Sequence, residues 1–369
     1  MSTEWARLHE ELAAAGLESG LEVALSPHTS YQIGGAARCA VSVSSREEAA
    51  ALAGVVSRHP GLGLLLIGRG SNLLVADEGF DGLAVLMGGA GRIPGAGRDR
   101  PTERNTTSSA DSRTGSEGTA VDILIDDDRV VATGWALLPL VARRSVAARR
   151  CGLQWMVGVP GTVGGAVRMN AGGHGADVAG NLAACGVLSL RSGRIADLPV
   201  GDLGLHFRGS ALADHHVVVT ATFHTAAATD DSCQRELTDI VAWRRANQPG
   251  GRNAGSVFVN PAPGSGSAGA LIDGAGLRGR RIGTAEVSEK HANFIQADPG
   301  ASAFDVVALM IEVQDTVERA HGIVMRSEVR LVGFADEVVS RFSDPRHDEP
   351  DRVGAREHLI SILDGGSQP

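Results

Sequence analysis

"IGRGSNLLVADEGFDG", residues 67–82, decides how this chain folds. Leu64, Leu65 and Leu66 run into Ile67. That apolar run is too short for a stable helix and long enough for a buried strand. It stops at Gly68-Arg69-Gly70-Ser71-Asn72, and a second apolar run, Leu73-Leu74-Val75, follows at once. Two glycines let the backbone turn several N–H groups toward one point, a nest that favours anionic oxygen such as phosphate. The same residues also suit a plain tight turn with Asn72 bonded to its own backbone. The loop by itself leaves both readings open.

Upstream, "SREEAAALAGVVSRH" (45–59) opens with Ser45 and Glu48 at capping-box spacing and continues as a helix. Residues 22–43 read as two short strands around "SPHTSYQIGGAA". The opening segment is therefore expected to be a small α+β unit. Downstream, residues 88–119 almost lack large apolar side chains and read as an unstructured insertion. Order is expected again in "VVATGWALLPLVARRSVAARRCG" (130–152), a strand end and a helix stopped by Gly152. "VVVTATF" (217–223) alternates as a strand.

"DDSCQRELTDIVAWRRANQ" (230–248) is a helix whose closing Arg244 and Arg245 suit the negative end of its dipole. A short helix (267–276) precedes a longer one (302–322), with Ser302 and Asp305 as a second capping box and a glycine stop. "SEVRLVG" (327–333) is a final strand, and from 335 the chain is polar and expected to be mobile. The expected domains are an N-terminal helix (1–21), a first unit (22–87), an insertion (88–119), a second unit (120–223), a third (224–334) and a tail (335–369).

Bulk properties narrow the function. With 369 residues the chain can hold two or three domains. A net charge of −9 argues against a nucleic-acid partner. No apolar stretch reaches the length of a membrane span, and the N-terminus lacks the pattern of a secretory leader, so a soluble cytoplasmic protein is expected. Cys39, Cys151, Cys185 and Cys233 lie at no metal-ligand spacing, and each reads as a small buried apolar residue in a reducing compartment. No metal is expected. Two GxGxxG matches, 264–269 and 274–279, lack the strand–turn–helix context of a dinucleotide fingerprint and read as ordinary loops.

A second glycine-rich stretch, "PGTVGGAVRMNAGGHG" (160–175), changes the weight of the first. Two distant glycine loops beside apolar strands suit an extended ligand with a charged middle, the shape of a dinucleotide such as FAD.

"IGRGSNLLVADEGFDG", "GVPGTVGGAVRMNAGGHG", "FRGS", "QPGGRNAGSVFVNP", "EVSEKHANFI" and "EVRLVG" occur in this order between about residues 24 and 333. Together they resemble the UDP-N-acetylenolpyruvoylglucosamine reductase family, in its compact type II form. The resemblance implies an α+β fold: a two-subdomain FAD-binding module of the vanillyl-alcohol oxidase kind and a C-terminal α+β substrate domain. It implies an oxidoreductase in peptidoglycan precursor synthesis that uses FAD, NADPH as hydride source and a UDP-sugar substrate.

Residue by residue, the resemblance implies Ser256 as proton donor, Arg208 as stabiliser of the substrate carboxylate and Glu328 as a carboxyl opposite it. It assigns the cofactor to Gly68, Arg69, Gly70, Ser71, Asn72 and Leu73, and to Gly161, Thr162, Gly164, Gly165, Asn170, Ala171 and Gly172. Two carboxylates side by side repel, so Glu328 is expected to favour its protonated form. Arg244 and Arg245 are candidates for a diphosphate, and equally for the helix terminus. Asn260 and His291 line up with substrate-contacting positions. Three positions depart from the common pattern. Phe207 replaces a tyrosine, Val259 a lysine and His174 a tyrosine.

Overall fold

The computed structural model describes residues 3–88, 93, 122–262, 264–343 and 350–365. Most of the insertion expected at 88–119 lies outside the described residues.

The first unit contains α1 (Thr3–Ala14), β1 (Ser19–Ala24), β2 (Ala36–Val43), α2 (Arg46–Val56), β3 (Leu64–Ile67), β4 (Leu73–Val75) and β5 (Phe80–Met87). Four of the strands form one sheet in the order β1-β2-β5-β3. β5 pairs in parallel with both neighbours. It is covered on both faces, so it reads as a continuous apolar run rather than an alternation. Leu8, Leu12, Leu52, Val41 and Val85 fill one side. Leu25, Ile67, Val75 and Leu86 fill the other. Ser45 Oγ accepts the Glu48 N–H at 3.1 Å as its spacing predicts, while the Glu48 carboxylate turns back to the N–H of Ser44 at 2.7 Å.

The second unit runs through β6 (Ile123–Asp126), β7 (Arg129–Thr133), α3 (Leu138–Ala147), β8 (Arg150–Cys151), α4 (Val163–Arg168), β9 (Gly172–Gly173), β10 (Ala176–Asp177), α5 (Val178–Asn181), β11 (Leu182–Ser189), β12 (Ile195–Pro199), β13 (His216–His224) and β14 (Ala226–Ala227). Its antiparallel sheet has the order β12-β11-β13-β7-β6. The third unit holds α6 (Ser232–Asn247), α7 (Ala268–Gly274), β15 (Arg281–Ile282), β16 (Ala285–Val287), β17 (Ile295–Ala297), α8 (Ala303–His321) and β18 (Arg330–Val332). The α+β class expected from the sequence is the class observed.

The units are laced together. Tyr31 and Ile33, from the first unit's β1–β2 connection, belong to the core of the third. The buried Tyr31 hydroxyl donates to the Ile295 carbonyl at 3.0 Å. β18 pairs in parallel with β4. Asp77 accepts from Ser302 Oγ at 2.6 Å and from the Ala303 N–H at 3.0 Å, so a first-unit carboxylate caps α8. The capping box expected from Asp305 does not form. Asp305 instead holds Thr284, through the N–H at 2.8 Å and the hydroxyl at 2.6 Å.

Two sequence readings are corrected. Cys151 and Cys233 are joined by a disulfide, with Cα atoms 5.7 Å apart, and only Cys39 and Cys185 are free buried thiols. The bond ties β8 to the first turn of α6, 82 residues away. The segment from 335, read as a loose polar tail, forms α9 (Asp336–Phe342) and α10 (Pro350–Ile360), ending in a π-helical turn at 361–365. Leu359 and Leu363 are fully buried in the second unit's core, each worth about 2 kcal/mol of apolar burial. Phe342 packs in the third unit's core.

Asp364 anchors the end of this segment. Its Oδ2 lies 3.0 Å from His215 Nε2 and 3.2 Å from His216 Nε2. His216 Nδ1 accepts the Ala213 N–H at 3.0 Å. In the neutral ring Nε2 therefore carries the proton and donates toward Asp364, and that proton sits on the lone pair a metal would need. Among the described residues, no helix is long and apolar enough to cross a membrane.

Candidate active site

The loop at 68–72 is built as a cradle. None of the backbone N–H groups of Arg69, Gly70, Ser71 or Asn72 is donated to an acceptor among the described residues. Unpaired backbone donors gathered in one turn form an anion site. Gly70 has φ +58°, and a Cβ there would come within 2.1 Å of the His28 carbonyl oxygen, so conformation and space both require glycine. A Cβ on Gly68 would come within 2.4 Å of Thr162 Oγ1. The two glycine-rich loops thus meet edge to edge.

The second loop uses its backbone differently. The N–H of Gly161 goes to Val159 O and that of Gly164 to Gly134 O, while Gly165 donates to Thr162 Oγ1 at 3.4 Å. The N–H of Ala171 goes to Ala166 O. Asn170 is buried with φ +39°, and its side chain is consumed by two structural bonds. It donates to the His206 carbonyl at 3.0 Å and accepts from the Ala179 N–H at 2.9 Å. Gly172 faces Asp177 across the β9–β10 hairpin. The unpaired backbone donors of residues 69–72 therefore lie in the first loop, and the second loop approaches it closely at Thr162. These features fit a dinucleotide whose charged centre lies on residues 69–72.

Arg208 sits in a tight turn. His206 and Gly209 exchange backbone hydrogen bonds at 3.0 and 3.1 Å. Arg208 has φ +59° at the third position of that turn, where a type II turn ordinarily takes glycine. A non-glycine residue held left-handed costs about 1–2 kcal/mol, and such outliers gather at functional sites. Its guanidinium lies 5.1 Å from the Phe207 ring centroid, so the aromatic that replaces tyrosine supports the charge by a cation–π contact.

Arg208 Nε is 2.8 Å from Glu328 Oε1. The contact is a close ion pair without a well-aimed hydrogen bond, since the buried Nε–H has no acceptor along its own direction. Burial pushes the Glu328 carboxyl above its ordinary range, and Arg208 works against the rise. In the protein alone, desolvation is the cause of the rise.

Two expected elements converge on the Glu328 backbone. Its backbone N–H donates to Val257 O at 2.7 Å, which sets the segment next to Ser256 beside it. Asn72 Nδ2 donates to its carbonyl at 3.0 Å, which attaches the nest. Asn72 O in turn accepts the Arg330 N–H at 3.0 Å. The Ser256 region is pinned from below by Val257 and Phe258, each about 1% exposed. Asn293 accepts the Phe258 N–H through Oδ1 and donates to the Phe258 carbonyl, at 2.9 and 2.8 Å.

The other expected positions are more dispersed. Arg244 is half-buried against Gly158, and desolvation lowers its pKa. It has no carboxylate partner among the described residues. Arg245 is exposed, and its carbonyl accepts Lys290 Nζ at 2.6 Å. Asn260 is exposed and caps α7 by accepting the Ala268 N–H at 2.9 Å. His291 accepts the Asn293 N–H at 3.2 Å and stacks edge-on against Phe294, and burial lowers its pKa. His174 has φ +54° and packs edge-on against the exposed Trp243, centroids 5.1 Å apart.

A cavity of about 560 Å³ has both Arg208 and Glu328 in its wall, with Phe207 and Val259. Arg168, Asp214, Arg330 and Arg356, none of them singled out by the sequence reading, also line it. Of these, Arg168 and Arg330 lie within stretches already quoted, 160–175 and 327–333, and no role was read for either.

Comparison with known proteins identifies relatives of the chain. The family model for the UDP-N-acetylenolpyruvoylglucosamine reductase C-terminal domain matches residues 247–332. A UDP-N-acetylenolpyruvoylglucosamine reductase of Synechococcus sp. (strain CC9605) is 36% identical over 316 residues, covering 85% of this chain and 95% of that protein. One from Heliobacterium modesticaldum is 36% identical over 313 residues, covering 84% and 89%. The crystal structure of the reductase from Thermus caldophilus superposes with a TM-score of 0.64 at 28% identity, covering 86% of this chain and 98% of that one.

Proposed function

The chain belongs to the UDP-N-acetylenolpyruvoylglucosamine reductase family, and from that premise we propose how its residues reduce UDP-N-acetylglucosamine enolpyruvate to UDP-N-acetylmuramate. FAD, when bound, supplies the hydride after accepting it from NADPH. The N–H groups of residues 69–72 would hold its charged centre. Gly68, which leaves room for Thr162, would let residues of both loops contribute to holding it.

The chemistry left to the protein is electrostatics and one proton. Adding hydride to the enolpyruvyl double bond leaves negative charge on the neighbouring carbon and carboxylate. Arg208 presents its guanidinium to that carboxylate, a contribution of roughly 3–4 kcal/mol for a well-placed donor. Glu328, whose carboxyl burial shifts toward the protonated form against the pull of Arg208, donates a hydrogen bond to the same group when it carries its proton. Ser256 gives its hydroxyl proton to the carbon, which completes the saturated product. Arg244, half-buried and without a carboxylate partner, and Arg245 meet the substrate diphosphate.

One observation carries this reading: Glu328 is bonded through its own backbone to the Ser256 segment on one side and to the 69–72 nest on the other. Purified protein should be yellow, bleach with NADPH and recover its colour on addition of the enolpyruvyl UDP-sugar. Ser256→Ala should bleach at the normal rate and recover at least a hundredfold more slowly. Recovery only with a different oxidant would assign the chain another substrate, and bleaching without any recovery would mark an inactive flavoprotein.

A further inference from the structure

The cavity that holds Arg208 and Glu328 is also lined with positive charge that the proposed reaction does not use. Arg168 comes from the end of α4, Arg330 from β18 and Arg356 from α10. Asp214 Oδ1 is shared between Arg168 Nη2 at 2.6 Å and Arg330 Nη2 at 3.0 Å. Arg356 has no carboxylate within ion-pair distance among the described residues. With Arg208 and Glu328 included, four guanidinium groups face two carboxylates across one concave space.

A cleft with an excess of one sign and low-dielectric walls concentrates its field on whatever enters. The crowding is felt within the cavity. Arg168 is pushed down to about 10, first by burial and then by the charges of Arg330 and Arg356, among others. A volume of about 560 Å³ is in the range of small-molecule sites. Arg356 lies on the docked tail helix, beyond residue 332, where the family's C-terminal domain ends.

We propose that this cavity binds a phosphate-bearing ligand, with its phosphoryl oxygens held by Arg356 from the tail helix together with Arg168 and Arg330. A planar guanidinium fork matches phosphate geometry. The inference rests on the reductase reading only for the source of the phosphate, which is either the phosphates of NADPH or the diphosphate of the UDP-sugar, the latter in place of its contact with Arg244 and Arg245. The tail is then part of the site: it brings a cation to a cavity where Val259 stands at the family's usual lysine.

The test uses the flavin-loaded full chain with inorganic pyrophosphate as probe. Titration calorimetry should give an affinity about tenfold weaker for Arg356→Gln than for wild type. Arg356→Lys should lose less. In wild type alone, pyrophosphate should slow amide hydrogen exchange in residues 350–360, a readout that survives if the variant fails to fold. Steady-state kinetics on each half-reaction identify the source, because KM rises for NADPH or for the enolpyruvyl sugar by more than kcat falls. No pyrophosphate binding by wild type, equal affinity in Arg356→Gln, or unaltered exchange in α10 would each overturn the proposal. Arg356-dependent pyrophosphate binding in a protein that cannot reduce the enolpyruvyl sugar would leave the anion site standing and remove the reductase reading.

Discussion

Asn72 is tied to Glu328: its side-chain amide donates to the Glu328 backbone carbonyl at 3.0 Å. The bond couples the anion nest to the carboxyl beside Arg208. Asn72→Ala keeps every backbone N–H of the nest but leaves that carbonyl without its donor. Flavin content should stay near stoichiometric, while recovery of the oxidised flavin by substrate slows about tenfold, because a small displacement of a catalytic group is costly. Absorbance spectra and stopped-flow bleaching and recovery measure the two separately.

Arg208 combines its proposed role with backbone strain, and two substitutions separate them. Arg208→Ala and Arg208→Gly both remove the guanidinium and should both lose about a hundredfold or more in the substrate half-reaction. They should differ in stability. Glycine accepts φ +59° without penalty, so the glycine variant should be about 1 kcal/mol more stable than the alanine variant. Urea denaturation of the pair gives the difference directly.

Burial lifts the Glu328 carboxyl above its ordinary value of 4.5. The folded protein therefore holds this proton more tightly than the unfolded chain does. The associated stability is fully present below pH 4.5 and is lost as pH rises through the folded value. Glu328→Gln mimics the protonated form at every pH. Wild-type stability minus that of Glu328→Gln should fall as pH rises from 4.5 and then level off. A difference that grows with pH, measured by denaturant titration, would show the carboxylate to be the favoured form.

The Cys151–Cys233 bond closes a long loop and anchors the start of α6. Constraining a loop of this length in the unfolded chain contributes up to about 4 kcal/mol. Reduction with dithiothreitol, or Cys151→Ser, should lower the denaturation midpoint accordingly. Cys39→Ser should instead report the loss of a buried apolar contact and leave sensitivity to the reductant unchanged.

Local chemistry was legible in the sequence, and long-range pairing was not. Ser45 and Glu48 are close in the chain, so their cap could be read from spacing. The nest at 68–72 could be read from its glycines. Asp77 capping α8 could not, because its partners lie more than two hundred residues away. The disulfide was missed because thiols 82 residues apart show no ligand spacing. The tail was misread because its composition is polar, while the residues that dock it, Leu359, Leu363 and Asp364, are few and widely spaced. Arg208 and Glu328 were found by motif; that Arg168, Arg330 and Arg356 share their cavity depended on the folded arrangement.

The seating of Tyr31 and Ile33 inside the third unit's core, with β18 laid against β4, bears on how the enzyme could be divided or evolve. A fragment beginning at 247 would lose a buried aromatic, an aliphatic neighbour and the partner of its last strand. Recombination that exchanged only the carboxy-terminal half with that of a relative would have to exchange the stretch around residue 31 as well. Selection acts here on a clasp with two jaws, and neither jaw is inherited alone.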